Sequence, residues 1–229
     1  MNKKQIITYS SIIAALVITL GALWALIITT VNTDGNVANG PNQSMGANTS
    51  TATYSATKTI TENETITTGD FTSTNADENA ILATGSITAN LSNITVTKTG
   101  DSDGGDNTSF YGTNSAILAS AGATLNIKDA QIITNATGAN GVFSYGGSAT
   151  TNNSNSDGTT VNISDSTIET TKDNSGGIMT TGGGIMNATN LTITTAGTSS
   201  AAIRSDRGGG TVTVDQGTYR TTGKGSPAI

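Results

Sequence analysis

The sequence predicts an all-β chain, a right-handed single-stranded parallel β-helix of about five rungs with three short strands in each, preceded by one N-terminal transmembrane helix. Three observations lead there. Gly, Thr, Ser and Asn make up 119 of the 229 residues, so any core must be narrow. Two hydrophobic markers recur in step along most of the chain. One long apolar run stands apart from them near the N-terminus.

Lys3 and Lys4 precede an almost unbroken apolar run from Ile12 to Ile28, continued by Thr29, Thr30 and Val31. Its length matches the roughly 20 residues a helix needs to cross a bilayer and exceeds the roughly 7 to 15 of a signal-peptide core. Residues 1–31 therefore read as cytoplasmic lysines plus a signal anchor held in the membrane. No further Lys or Arg occurs before Lys58, which places the remainder outside the cell. Cleavage near Asn36-Val37-Ala38, a poor site, would release the domain as a secreted protein instead. Residues 32–57 lack periodicity and read as a flexible polar spacer, and residues 58–229 as the β-helix domain. Asn-x-Ser/Thr triplets, Asn42, Asn48, Asn90 and Asn190 among them, arise by chance in such a composition.

The first marker is an Ile or Val framed by a small residue and a larger one. It reads Ala80-Ile81-Leu82, Ala116-Ile117-Leu118, Gly141-Val142-Phe143, Gly177-Ile178-Met179 and Ala202-Ile203-Arg204, spaced 36, 25, 36 and 25 residues apart. The second is an apolar-x-apolar pair with a third apolar residue five further on. It reads Ile87/Ala89/Ile94, Leu125/Ile127/Ile132, Val161/Ile163/Ile168, Met186/Ala188/Ile193 and Val212/Val214/Tyr219. Alternation with period 2 means strands, and the Gly, Asn, Asp and Ser between them mean turns. A left-handed helix of six-residue modules would repeat nearer about 18 residues, hence the right-handed form. The segment Thr59 to Thr68 is placed to cap the N-terminal end. At the other end the chain stops at Ile229, on the residue that would open a further rung, and a truncated C-terminal end is the expectation. Two long steps imply insertions of about 13 residues near 98–113 and about 11 near 146–158.

The stretch SGGIMTTGGGIMNATNLTITTAGTSSAAIRSDRGGGTVTVDQGTYRTTGKGSPAI resembles the repeats of pectate-lyase-like β-helix surface proteins, the adhesin-like and carbohydrate-binding exported proteins of anaerobic bacteria and methanogenic archaea. The similarity covers about residues 60 to 229 and is strongest over 175–229. It implies a fold and a cell-surface location more than an activity.

Composition removes many functions. The absence of Cys and His excludes disulfides, thiol nucleophiles, zinc sites with those ligands and any Ser-His-Asp triad. A net charge of -6 has the wrong sign for a nucleic-acid binder. If each central Ile or Val points inward, the next residue points outward, stacking Leu82, Leu118, Phe143, Met179 and Arg204 in one column and Thr84, Ser120, Tyr145, Thr181 and Asp206 in another. The face bearing Phe143, Tyr145 and Met179, with Arg204, Asp206 and Arg207 above, suits the apolar faces and hydroxyl edges of a polysaccharide or host-surface glycan. The alternative for its apolar members is packing beneath the two insertions. Asp101, Asp103 and Asp106 in a Gly-rich loop offer hard oxygen ligands for Ca²⁺, although no cofactor is required and such clusters are also ordinary turn material. Arg204 resembles the base of Ca²⁺-dependent lyases of this fold, but only Asp206 lies near it where several carboxylates are needed. Ice binding fails on the outward columns Thr95, Ile133, Glu169, Thr194, Arg220 and Thr88, Asn126, Asn162, Asn187, Thr213, neither of which is a uniform threonine lattice. The expectation is a non-catalytic adhesin-like surface module, with a polysaccharide lyase and a purely structural stalk as alternatives.

Overall fold

A computed structural model describes residues 52–102, 105–147 and 156–229. The expected membrane anchor and nearly all of the spacer lie outside these residues. Among the described residues no helix is long and apolar enough to cross a membrane.

The chain makes repeated passes of short strands. The first contains β1 (Ala56–Ile60), β2 (Glu64–Ile66) and β3 (Gly69–Ser73), and the second β4 (Asn79–Thr84), β5 (Thr88–Ser92) and β6 (Ile94–Lys98). A six-residue helix, α1 (Asp106–Tyr111), precedes β7 (Ile117–Ser120), β8 (Thr124–Lys128) and β9 (Gln131–Thr134). Then follow β10 (Val142–Tyr145), β11 (Thr160–Ser164) and β12 (Thr167–Thr170). The last passes fuse two strands into one, giving β13 (Ile178–Thr181) with β14 (Gly184–Thr195), and β15 (Ile203–Ser205) with β16 (Gly210–Thr221). The first domain strand thus begins at Ala56, two residues before the boundary expected at 58, and the segment expected to cap the N-terminal end is itself β1 and β2.

All strand pairs are parallel, and each pass lays one strand beside its counterpart in the pass before. One sheet has the order β1-β4-β7-β10-β13-β15. In the other, the first half of β14 pairs with β11 and the second half with β12, joining two stacks into one ten-stranded sheet. The five anchors Ile81, Ile117, Val142, Ile178 and Ile203 are direct register partners. The first four are 0 % exposed and Ile203 is 7 % exposed. The file expected from the first marker is therefore present.

The second marker needs one correction. In the second pass the residues in register with Leu125, Ile127 and Ile132 are Ala89, Leu91 and Val96, not Ile87, Ala89 and Ile94. A slip of two residues keeps every side chain on the same face, so alternation alone cannot detect it. Register is set instead by the corner between strands. Asn93, Asp129, Asp165, Asn190 and Gln216 all have φ near +50 to +60°, a left-handed bend that short polar side chains tolerate. With Asn93 beside Asp129, the step from Val96 to Ile132 becomes 36 residues, the same as from Ile81 to Ile117. Both long steps then contain 11 extra residues: Val96 to Ile117 is 21 where Ile132 to Val142 is 10, and Val142 to Val161 is 19 where Ile117 to Leu125 is 8.

Between the sheets lies one continuous apolar cluster that includes the anchors, Leu91, Val96, Leu125, Ile132, Val161, Ile168, Met186 and Ile193. No pass could bury its inner face alone, and stacking does so with few large residues. This resolves the composition.

Candidate functional site

The column following the anchors is in register as expected: Leu82, Leu118, Phe143, Met179 and Arg204. It is not an open platform. Phe143 is 0 % and Met179 1 % exposed, and with Leu82 and Leu118 they form a second apolar cluster against which Tyr54, Ala56 and Tyr145 pack. The cover comes from the first insertion. Gly112 ends α1 at φ 72 and lies so close to the Phe143 ring that a Cβ there would sit 2.7 Å from it. Tyr111 meets Tyr145 edge to face at 5.3 Å between centroids, and the Thr181 hydroxyl donates to the Phe110 carbonyl at 2.6 Å. Tyr145 keeps part of its surface; Phe143 and Met179 keep essentially none.

At the upper rim the charged residues do come together. Arg204 pairs with Asp206, which also accepts the Arg207 backbone N–H at 2.7 Å. The Arg207 guanidinium lies 3.8 Å from the centroid of Phe110, a cation–π contact that ties this corner to α1. Of the expected calcium ligands, Asp101 accepts the Thr137 backbone N–H at 2.7 Å, a bond to the next pass, 36 residues on. Asp103 and the side chain of Asp106 lie outside the described residues, and among the described residues no three acidic side chains gather as a metal site.

Sequence reasoning missed a longer feature. With the register corrected, Asn90, Asn126, Asn162 and Asn187 stand in one file on the outer face of β5, β8, β11 and β14. Each upper amide donates to the Oδ1 of the one below, at 2.8 Å in all three steps, and Asn90 donates to the Thr65 hydroxyl at 3.4 Å. Beside the ladder Ser92, Lys128, Ser164 and Thr189 form a second file, and the two line a groove of about 500 Å³. The signal was in the sequence, since Asn90, Asn126 and Asn162 are 36 residues apart and Asn187 25 beyond. The misplaced second pass put Thr88 where Asn90 belongs. The same slip put Thr95 where Thr97 belongs in the column Thr97, Ile133, Glu169, Thr194, Arg220.

Comparison with known protein families, with curated proteins and with solved structures gives no match.

Proposed function

We propose that the six stacked passes are the rungs of a right-handed parallel β-helix, one more than the sequence predicts, and that the chain is a non-catalytic, adhesin-like module held at the cell surface by its N-terminal helix, where it contacts a glycan. The observation that carries this is the outer face itself, on which identical hydrogen-bonding side chains repeat at every strand step across four passes. A repeating polymer is the ligand class that such a repeating surface suits. Lyase chemistry has less behind it: Arg204 has Asp206 as its paired carboxylate, and Asp101 accepts a backbone N–H of the next pass. A structural stalk is the second reading, favoured by the burial of the Leu82–Met179 column that would otherwise be its most adhesive surface.

The three separate in one experiment on the full chain in mild detergent. Retention on a panel of immobilised polysaccharides is measured with and without Ca²⁺, while the absorbance of unsaturated products is followed on pectate. The expected result is retention without product. Product that disappears in Arg204→Ala would establish the lyase, and neither retention nor product leaves the stalk.

A further inference from the structure

We infer that the groove along the asparagine ladder binds a linear neutral polysaccharide laid along the stack, one sugar to each strand step, a proposal that rests on the glycan-contact reading above and gives it a site. Asn126 and Asn162 each spend one N–H and one oxygen lone pair on their ladder neighbours, Asn90 an N–H on Thr65 and a lone pair on Asn126, and Asn187 at the top one N–H. An amide has two N–H groups and its oxygen two lone pairs, so a donor and an acceptor remain at every step. They recur in one common orientation, because all the ladder amides run the same way, each nitrogen toward the oxygen below. The strand spacing sets their repeat at about 4.8 Å. A ligand answering this pattern must carry paired donors and acceptors at nearly the same interval. Sugar hydroxyls are both donor and acceptor, and an extended β-linked pyranose chain advances per residue by close to one strand step, successive sugars turning over so that alternate hydroxyl edges face the ladder.

Charge decides between neutral and acidic chains. Among the described residues Lys128 is the one cation lining the groove, and it is flanked at the adjoining corner by Asp129 and Asp165. A hydrogen bond from Asn190 lowers the pKa of Asp165, which as an exposed carboxylate is charged at neutral pH. With a net charge of -6 on the chain, a polyanion gains little here. Among the described residues no aromatic ring lines the groove, so affinity must accumulate along the ladder from contacts that are already ordered.

The test uses the full chain in mild detergent with β-1,4-linked gluco-oligosaccharides of two, four and six sugars, read by weak-affinity chromatography. Binding of the six-sugar chain is expected to exceed that of the two-sugar chain by about ten-fold or more, because simultaneous contacts multiply, and to be insensitive to salt. Ser164→Tyr, which fills the groove at mid-height while keeping all four ladder asparagines, is expected to abolish it, and Ser92→Tyr, on a different strand, serves as an independent block. Retention that survives both substitutions, that is equal for all three lengths, or that is seen only for polyuronates and lost in salt overturns the groove assignment while leaving a glycan-binding module in place. No retention of any glycan overturns both readings.

Discussion

Lys98 shows how an insertion is joined to a stack. It stands in register between Ser73 and Thr134, in a file continued by Thr170 and Thr195. In that file the hydroxyls of Ser73, Thr170 and Thr195 each donate to the carbonyl five residues on, closing the corner after the strand. After Lys98 the chain leaves into the first insertion, and a hydroxyl would not reach a carbonyl there. The ammonium instead donates to Asn75 O at 2.6 Å and Gly100 O at 2.7 Å, tying the departing chain to the pass below. A lysine this enclosed is costly unless its donors are used. Burial lowers its pKa, and Glu78, Asp77 and Asp101 oppose that shift. Between the lowered value and the ordinary 10.5 the unfolded chain binds the extra proton, so this group adds stability as pH rises through that window. Lys98→Met is expected to cost about 3 kcal/mol, because two enclosed carbonyls lose their donor, and to remove that alkaline gain. Urea unfolding at neutral and alkaline pH reads both effects. An unchanged midpoint would mean that other donors replace the ammonium.

At the scale of elements, α1 converts a face into an interior. The anchors of the first sheet were legible because each buried Ile or Val is preceded by Ala or Gly, small enough to turn the corner. The second marker slipped because Ile87, Ala89 and Leu91 share one face, and only the bend at Asn93 selects among them. The cover was not legible in its own residues. Asp106-Asn-Thr-Ser-Phe-Tyr is too short to show a helical period, and its two rings could as well have faced solvent. Only the length of the insertion hinted that something lay over Phe143. Beneath this cover Tyr54 has a buried hydroxyl with no partner among the described residues. Burial raises its pKa well above 10.0, helped by Tyr145, Tyr111 and Asp157, and burial raises Tyr145 as well. The folded chain therefore keeps phenolic protons that the unfolded chain releases from about pH 10 upward, and stability falls as pH rises beyond that point. Tyr54→Phe removes the unpaired hydroxyl. It is expected to leave neutral stability unchanged or higher by about 1 kcal/mol, and to move alkaline unfolding, followed by circular dichroism with phenolate absorbance, to higher pH. Destabilisation at neutral pH would show that the hydroxyl has a partner.

Across the whole molecule, the two edges of the stack differ in kind. The interior files that hold Ile81 to Ile203 and Ala89 to Val212 begin, in the first pass, with Lys58 and Glu64. These two occupy core positions, are each about one third exposed at 33 % and 32 %, and pair at 2.7 Å across the end of the column. At the opposite edge the second file reaches Val212, beside Val214 and Tyr219, and the first is carried past Ile203 by residues 227–229, Ala202 and Ile203 donating their N–H groups to the carbonyls of Pro227 and Ala228 at 3.3 and 3.1 Å. A parallel sheet edge is a template for another strand, and an inward-pointing charge is a common way to make one unattractive. The ion pair adds little as a contact, since partial exposure screens it. Its consequence is selective: a second copy stacked on this edge would have to desolvate both charges against apolar residues. Replacing both, with Lys58→Ile and Glu64→Val, extends the apolar column to the edge and gives β1 and β2 an apolar surface that can meet β16 and residues 227–229 of another molecule. A contact of that head-to-tail kind does not close on itself, so the outcome expected is growth of open chains with concentration. Sedimentation velocity of the wild-type and doubly substituted full chains in the same detergent measures it. A variant that sediments as the wild type does at every concentration would show that the pair does not guard the edge.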